Sequence, residues 1–306
     1  MDAMNLSTFS YDKYSRVSLP CAGESCCFLA EKMHKLNERV YDLYFSTIKR
    51  IVEMTAGSNY RPIGLILGTI MLDLIPAITA ASRRILYQKN PVDYGLNAIK
   101  QEHQGHAPVI LLHGRMGKWT DLAPLAFHLQ KAHFSVFVMD LEESSCPSET
   151  DRKRINEQIE CIQRLYQQTF NQSCPAIDLV GHSLGGDMAL YTSFTSECSF
   201  IEDREKETLG DLKIHEGYQP ESNPLVGRVI TLGMPSNAIE LAWAKAAGKA
   251  HLIFNVTAKY DVIMGKKECA LAKELPDQVI EVPSGHLGML NSTTYKHVES
   301  LLQKTE

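Results

Sequence analysis

From Ala107 onward, short apolar runs alternate with amphipathic ones. Pro108-Val109-Ile110-Leu111-Leu112 reads as a buried strand, residues 121–131 as a helix, and Ser135-Val136-Phe137-Val138-Met139 as a second strand. A long polar-faced helix over 151–170 leads to the apolar run Ala176-Ile177-Asp178-Leu179-Val180. Further strands are expected at 229–232, 252–256 and 278–282, interleaved with helices at 239–248, 266–274 and 292–303. Strands alternating with helices predict a doubly wound, mostly parallel α/β sheet, in which functional groups collect at the carboxyl ends of the strands.

The first third of the chain has a different texture. Residues 1–20 are polar and aperiodic, whereas Leu29, Met33, Leu36, Val40 and Leu43 recur at steps of four and three, predicting one amphipathic helix over 28–54. Ala56-Gly57-Ser58-Asn59 supplies its stop signal. The apolar run 62–82 follows, about as long as a bilayer core is thick, with Gly64 and Gly68 at G-x-x-x-G spacing. Asp73 near its middle costs about 2.5–3.5 kcal/mol on insertion scales, and Pro76 kinks the segment. Two readings stand: a helix packed on its neighbours, or a shallow or hairpin-like membrane insertion. The chain thus divides into an N-terminal helical extension, 1–106, and an α/β domain, 107–306.

With 306 residues and 44% hydrophobic content there is material for a large core. The net charge of −5 and dispersed Lys and Arg offer no basic tract for a phosphate backbone, so nucleic acid is not an expected partner. Residues 1–19 lack a basic segment followed by an apolar one, so no conventional secretory signal is evident, and a cytoplasmic or peripherally membrane-associated location is expected. Eight cysteines without regular spacing suit reduced thiols better than a disulfide framework; the adjacent Cys26 and Cys27 are an alternative acylation site.

The chemistry centres on Gly181-His182-Ser183-Leu184-Gly185-Gly186, between a strand and the helix-like Asp187-Met188-Ala189-Leu190-Tyr191. A serine on a sharp strand-to-helix turn needs neighbours without side-chain bulk, and the turn puts its hydroxyl at a helix N-terminus, where developing negative charge is favoured. Ser183 is the candidate nucleophile. The loop His113-Gly114-Arg115-Met116-Gly117 follows the first strand, and the amides of Arg115 and Leu184 are the candidate oxyanion donors. His113 reads as a brace for this loop rather than the base. Asp261 follows the strand 252–256 and His286 follows the strand 278–282: the imidazole takes the Ser183 proton, and the carboxylate holds the tautomer. The alternatives are a capping Asp261 and a surface His286. Asp140 is the reserve acid, while Asp187 sits where the helix dipole favours an acid.

Residues 107–306 resemble a lipase-type serine hydrolase of the α/β-hydrolase fold, on the strength of His113-Gly114, the elbow 181–186, Thr231-Leu232-Gly233-Met234-Pro235 and Ser284-Gly285-His286-Leu287-Gly288. The chain order Ser183, Asp261, His286 is the one such a triad has. The resemblance implies hydrolysis of carboxylic esters, often of lipids, with no metal or organic cofactor. Arg115 departs from it, standing where many lipases have an apolar residue, and the short link between strands 229–232 and 252–256 leaves no room for a large cap. Residues 1–106 resemble no known family, and their apolar run 62–82 is the candidate lid or membrane-docking element, the insert 198–227 being too charged for an apolar lid. The expected function is hydrolysis of a lipid or long-chain acyl ester through an acyl-Ser183 intermediate. Acyl transfer from the same intermediate, or a catalytically silent membrane-associated scaffold, are the alternatives.

Overall fold

The structure is a computed structural model that describes residues 73, 76–85, 87, 89–141, 148–194, 221–234, 244–245, 247–261 and 275–304. The expected helices at 28–54 and 266–274, most of the one at 239–248, and the insert up to residue 220 lie outside the described residues.

Six strands, β1 (Val109–Leu112), β2 (Val136–Met139), β3 (Ile177–His182), β4 (Val226–Leu232), β5 (Ile253–Ala258) and β6 (Val279–Val282), form one sheet in the order β2-β1-β3-β4-β5-β6. Every pairing is parallel, so the sheet expected to be mostly parallel is wholly so among the described strands. Among the described residues four helices flank it: α1 (Ala123–Lys131), α2 (Glu149–Phe170), α3 (Leu184–Thr192) and α4 (Ser292–Gln303).

Alternation along the strands sorts the core into two layers. Val109 and Leu111 of β1 join Ile230, Val256, Leu125 of α1 and Val298 of α4 in one cluster. Ile110 and Leu112 join Leu179, Ile159 of α2 and Met188 of α3 in the other. Each such side chain contributes about 1.5–3 kcal/mol when fully buried. The strands are apolar on both faces because both are covered by helices. With this sheet order, two-sided helix cover and a serine elbow after β3, the chain has the α/β-hydrolase fold.

β4 starts three residues before the apolar run that marks it in the sequence. Arg228 stands just before that run, yet it belongs to the strand because Asp178 of β3 takes the charge: Arg228 N donates to Asp178 Oδ1 at 2.7 Å and the guanidinium lies 3.0 Å from Oδ2.

The described part of the N-terminal third packs on this body. Tyr87 and Leu96 are core residues, and the rings of Tyr87, Tyr94, Trp119 and Phe127 form one aromatic cluster. The Asn97 side chain accepts from Val138 N and donates to Val138 O, covering the outer edge of β2. Asp73 and residues 76–85 are helical. Among the described residues no helix is long and apolar enough to cross a membrane.

Candidate active site

The chain runs up β1, steps outward to β2, and returns on the other side of β1 to build β3, then β4, β5 and β6. The strand order therefore reverses between β1 and β3, and at such a switch the loops beyond the two strand ends separate and leave a crevice. Ser183 follows β3 at this switch, and the loop 113–117 follows β1.

Ser183 has φ 52° and ψ −124°, a backbone conformation that side chains other than glycine rarely adopt. The ladder and the helix hold it there: Ser183 N donates to Leu232 O at 2.8 Å, and its own carbonyl accepts from Gly186 N. The turn is tight enough that a Cβ at Gly181 would overlap the Gly185 carbonyl, and one at Gly185 would overlap that of Leu112. The glycine spacing is thus a packing requirement. Leu184 opens α3, so its amide is one of the orphan N–H groups of a helix start.

The other oxyanion candidate, Arg115, is exposed at the tip of a turn closed by Gly117 N donating to Gly114 O at 3.0 Å. Gly114 brings the loop onto the nucleophile: a Cβ there would stand 3.0 Å from Ser183 Cβ and 3.1 Å from His182 Nδ1. His113 is buried with both ring nitrogens engaged. Leu141 N donates to Nε2 at 2.9 Å, which leaves the proton on Nδ1, 2.7 Å from Gly114 O. Burial pushes its pKa below the ordinary value. An imidazole tied at both ends braces the loop and has no free nitrogen to act as a base.

Asp261 lies just past β5 and His286 past β6, and the structure brings them together: His286 Nδ1 is 2.7 Å from Asp261 Oδ2 with both side chains at least nine-tenths buried. Their loops are stitched to each other, since Tyr260 N donates to Ser284 O at 3.0 Å. The imidazole closes on the elbow side of the sheet: a Cβ at Gly233, the first residue after β4, would stand 3.1 Å from His286 Cε1 and Nδ1. The same β4 end accepts the Ser183 amide. The five residues singled out in the sequence therefore occupy the carboxyl ends of β1, β3, β5 and β6, with β4 between them. The reserve acid Asp140 goes elsewhere. Its carboxylate accepts from Trp119 N at 2.7 Å and lies 3.7 Å from His113, at the β2 side of the sheet.

One further residue reaches the loop that carries His286. In the sequence Asp73 is the charge that makes the apolar run 62–82 a poor membrane span. Its Oδ1 accepts from the amides of Leu287 at 2.8 Å and Gly288 at 3.3 Å, the two residues after His286. The signal was present, since a lone carboxylate in an apolar run must find donors somewhere when it is buried.

No family model matches the chain, and no curated protein matches it. Solved structures do. The 2,6-dihydroxy-pseudo-oxynicotine hydrolase is 13% identical with a TM-score of 0.44, covering 92% of this chain and 92% of that one. The Bacillus cereus carboxylesterase is 15% identical, TM-score 0.36, over 67% of this chain and 91% of that one. A lipase-esterase related protein from Clostridium acetobutylicum is 11% identical, TM-score 0.36, over 66% and 94%.

Proposed function

We propose, from an α/β-hydrolase fold whose strand ends carry Ser183, Asp261 and His286, that this chain hydrolyses carboxylic esters through an acyl-Ser183 intermediate. His286 Nε2 takes the hydroxyl proton as Oγ attacks the ester carbonyl, while Asp261 holds the Nδ1–H tautomer and stabilises the imidazolium. The amides of Leu184 and Arg115 receive the oxyanion, each such donor being worth about 3–4 kcal/mol of transition-state stabilisation. Collapse of the tetrahedral species breaks the ester C–O bond, and His286 gives its proton to the leaving alcohol. Water, deprotonated by the same imidazole, then attacks the acyl carbonyl and returns Ser183 to its hydroxyl form.

The observation that carries this reading is the backbone of Ser183. A non-glycine residue at φ 52° costs about 1–3 kcal/mol, and a silent scaffold has no use for that strain next to a buried His–Asp pair.

A long-chain acyl or lipid substrate is part of the proposal. The exposed Ile78 and Ile85 of the N-terminal helical residues, and Met116 of the loop 113–117, supply apolar surface on two segments that contact each other. Arg84 joins those segments by donating to Met116 O at 2.9 Å. The segment 62–82 is then a candidate lid or membrane-docking element.

Labelling with a fluorophosphonate, in the native chain and in Ser183→Ala, tests the nucleophile: label must appear in the first and vanish in the second. A chain-length series of nitrophenyl esters, with and without lipid vesicles, then reads the acyl preference. Addition of an alcohol acceptor separates hydrolysis from acyl transfer. A folded native chain that takes no label under any of these conditions removes the hydrolase reading.

A further inference from the structure

Loops beyond strand ends have no ladder to hold them, so a histidine carried on one is only as well placed as the contacts that fix its neighbours. Asp261 orients the His286 ring, and Tyr260 N ties the loop at Ser284. On the far side of the histidine, Asn291 Nδ2 donates to Gly288 O at 2.7 Å, closing the turn that leads into α4. Between these ties the amides of Leu287 and Gly288 both point at one oxygen, Asp73 Oδ1, from a part of the chain more than two hundred residues away.

The seat is specific. Gly285, the residue before His286, is where the carboxylate packs: a Cβ there would stand 2.6 Å from Asp73 Oδ1 and 2.9 Å from Oδ2. Asp73 Oδ2 is buried and has no hydrogen-bond partner among the described residues. Burial pushes the carboxyl above the ordinary range, opposed by the two amides and by the nearby His286. The other end of the helical residues is fastened too. The Arg84 guanidinium takes both carboxylate oxygens of Asp121, at 2.8 and 3.3 Å, and reaches Met116 O.

We propose that Asp73 is a positioning residue for His286, acting through the backbone amides of Leu287 and Gly288. The proposal rests on the hydrolase reading above, because a position for the imidazole matters only if Ser183 is to be deprotonated. A carboxylate accepting from two amides makes charge-assisted hydrogen bonds, which are short and about twice as strong as neutral ones. The oxygen that accepts, more than the charge, is what the loop needs. Asparagine keeps such an oxygen, and alanine does not.

The test compares Asp73→Asn and Asp73→Ala in the full chain by three readouts: kcat and KM on a short soluble nitrophenyl ester, the rate of fluorophosphonate labelling, and amide deuterium uptake over 284–291. Asp73→Ala is expected to lower kcat and labelling roughly 10- to 100-fold with KM within about twofold, the pattern of a displaced catalytic group. Its uptake rises in 284–291 and not in β1 or β3. Asp73→Asn stays near the native rates and uptake. Native rates and uptake in Asp73→Ala, or equal losses in the two variants, would overturn the proposal.

If Asp73→Ala does not fold, Gly285→Ala, which crowds the same carboxyl from the loop side, must reproduce the local rise in uptake and the fall in kcat. Native behaviour there overturns the proposal equally. Absence of label in the native chain would sink the hydrolase reading, while the uptake measurement still decides whether Asp73 holds the loop.

Discussion

His182 Nε2 donates to the backbone carbonyl of His286 at 3.1 Å, and the two imidazole rings lie 5.0 Å apart with a tilt of 44°. The elbow thus holds the histidine loop directly, from the residue preceding Ser183. A donor to a carbonyl inside the protein needs no charge, and burial, aided by the neighbouring His286, pushes the His182 pKa down to about 4 from its ordinary 6.5.

That depression makes the fold acid-sensitive. Between pH 6.5 and 4 the unfolded chain binds a proton at this position that the folded chain refuses, so the stability supplied by a neutral His182 is complete above 6.5 and lost as pH falls toward 4. Integration over the window from pH 7.5 to 4.5 gives on the order of 2–3 kcal/mol. In urea melts at those two pH values, His182→Asn should lose less stability than the native chain by roughly that amount. Equal losses in both would show that His182 does not set the acid sensitivity.

Replacing Asp261 by asparagine preserves size but removes the negative charge and can turn an NH2 donor toward Nδ1, which selects the wrong tautomer of His286. Turnover of a soluble ester and labelling of Ser183 should both fall by about 10³–10⁴-fold, with KM little changed. A loss below about tenfold would mean that Asp261 is not the acid of the triad.

Two glycines near the elbow should fail in different ways. Gly185 lies against the Leu112 carbonyl, which belongs to the sheet and cannot retreat, so Gly185→Ala is expected to cost more than about 4 kcal/mol and to yield little folded protein. A Cβ at Gly114 would meet the Ser183 side chain at 3.0 Å, and the loop that carries it can shift. Gly114→Ala should fold, melt near the native temperature and label on the order of 100-fold more slowly.

Truncation separates cover from support. Removing residues 1–84 takes away both Asp73 and Arg84, so activity should fall on a short soluble ester as well as on dispersed lipid. Removing residues 1–72 takes away half of the segment 62–82 and spares both side chains, so its loss should be confined to lipid. A chain lacking 1–84 that turns over soluble ester at the native rate would show that neither contact supports the site.

What could be read in the sequence was local. Val109 to Leu112 announces a doubly buried strand because all four residues are apolar, and Ser183 announces an elbow because Gly181 and Gly185 stand two residues to either side of it, although the Leu112 carbonyl that excludes a side chain at Gly185 belongs to β1. Asp261 and His286 were legible from their place after apolar runs, though their pairing at 2.7 Å depends on β5 and β6 being neighbours. Asp140 shows the limit: it also follows a strand, but its strand is β2, and Trp119 N takes its carboxylate. Asp73 was visible only as an anomaly in an apolar run. Nothing nearby in sequence says that its donors come after the last strand. The early start of β4 was hidden by Arg228, whose charge is answered by Asp178 on a different strand.

Among the described strands β6 is an edge strand of four residues, hydrogen-bonded to β5 alone, and three of its residues are only half-buried or exposed. Ser183 follows β3, which is paired on both sides and buried throughout. The two partners in the proposed proton transfer therefore rest on parts of the molecule with unequal resistance to local opening. The base end should come loose first. Under rising denaturant, catalysis should disappear while the central sheet is still intact, leaving a folded chain with an elbow serine and no base within reach.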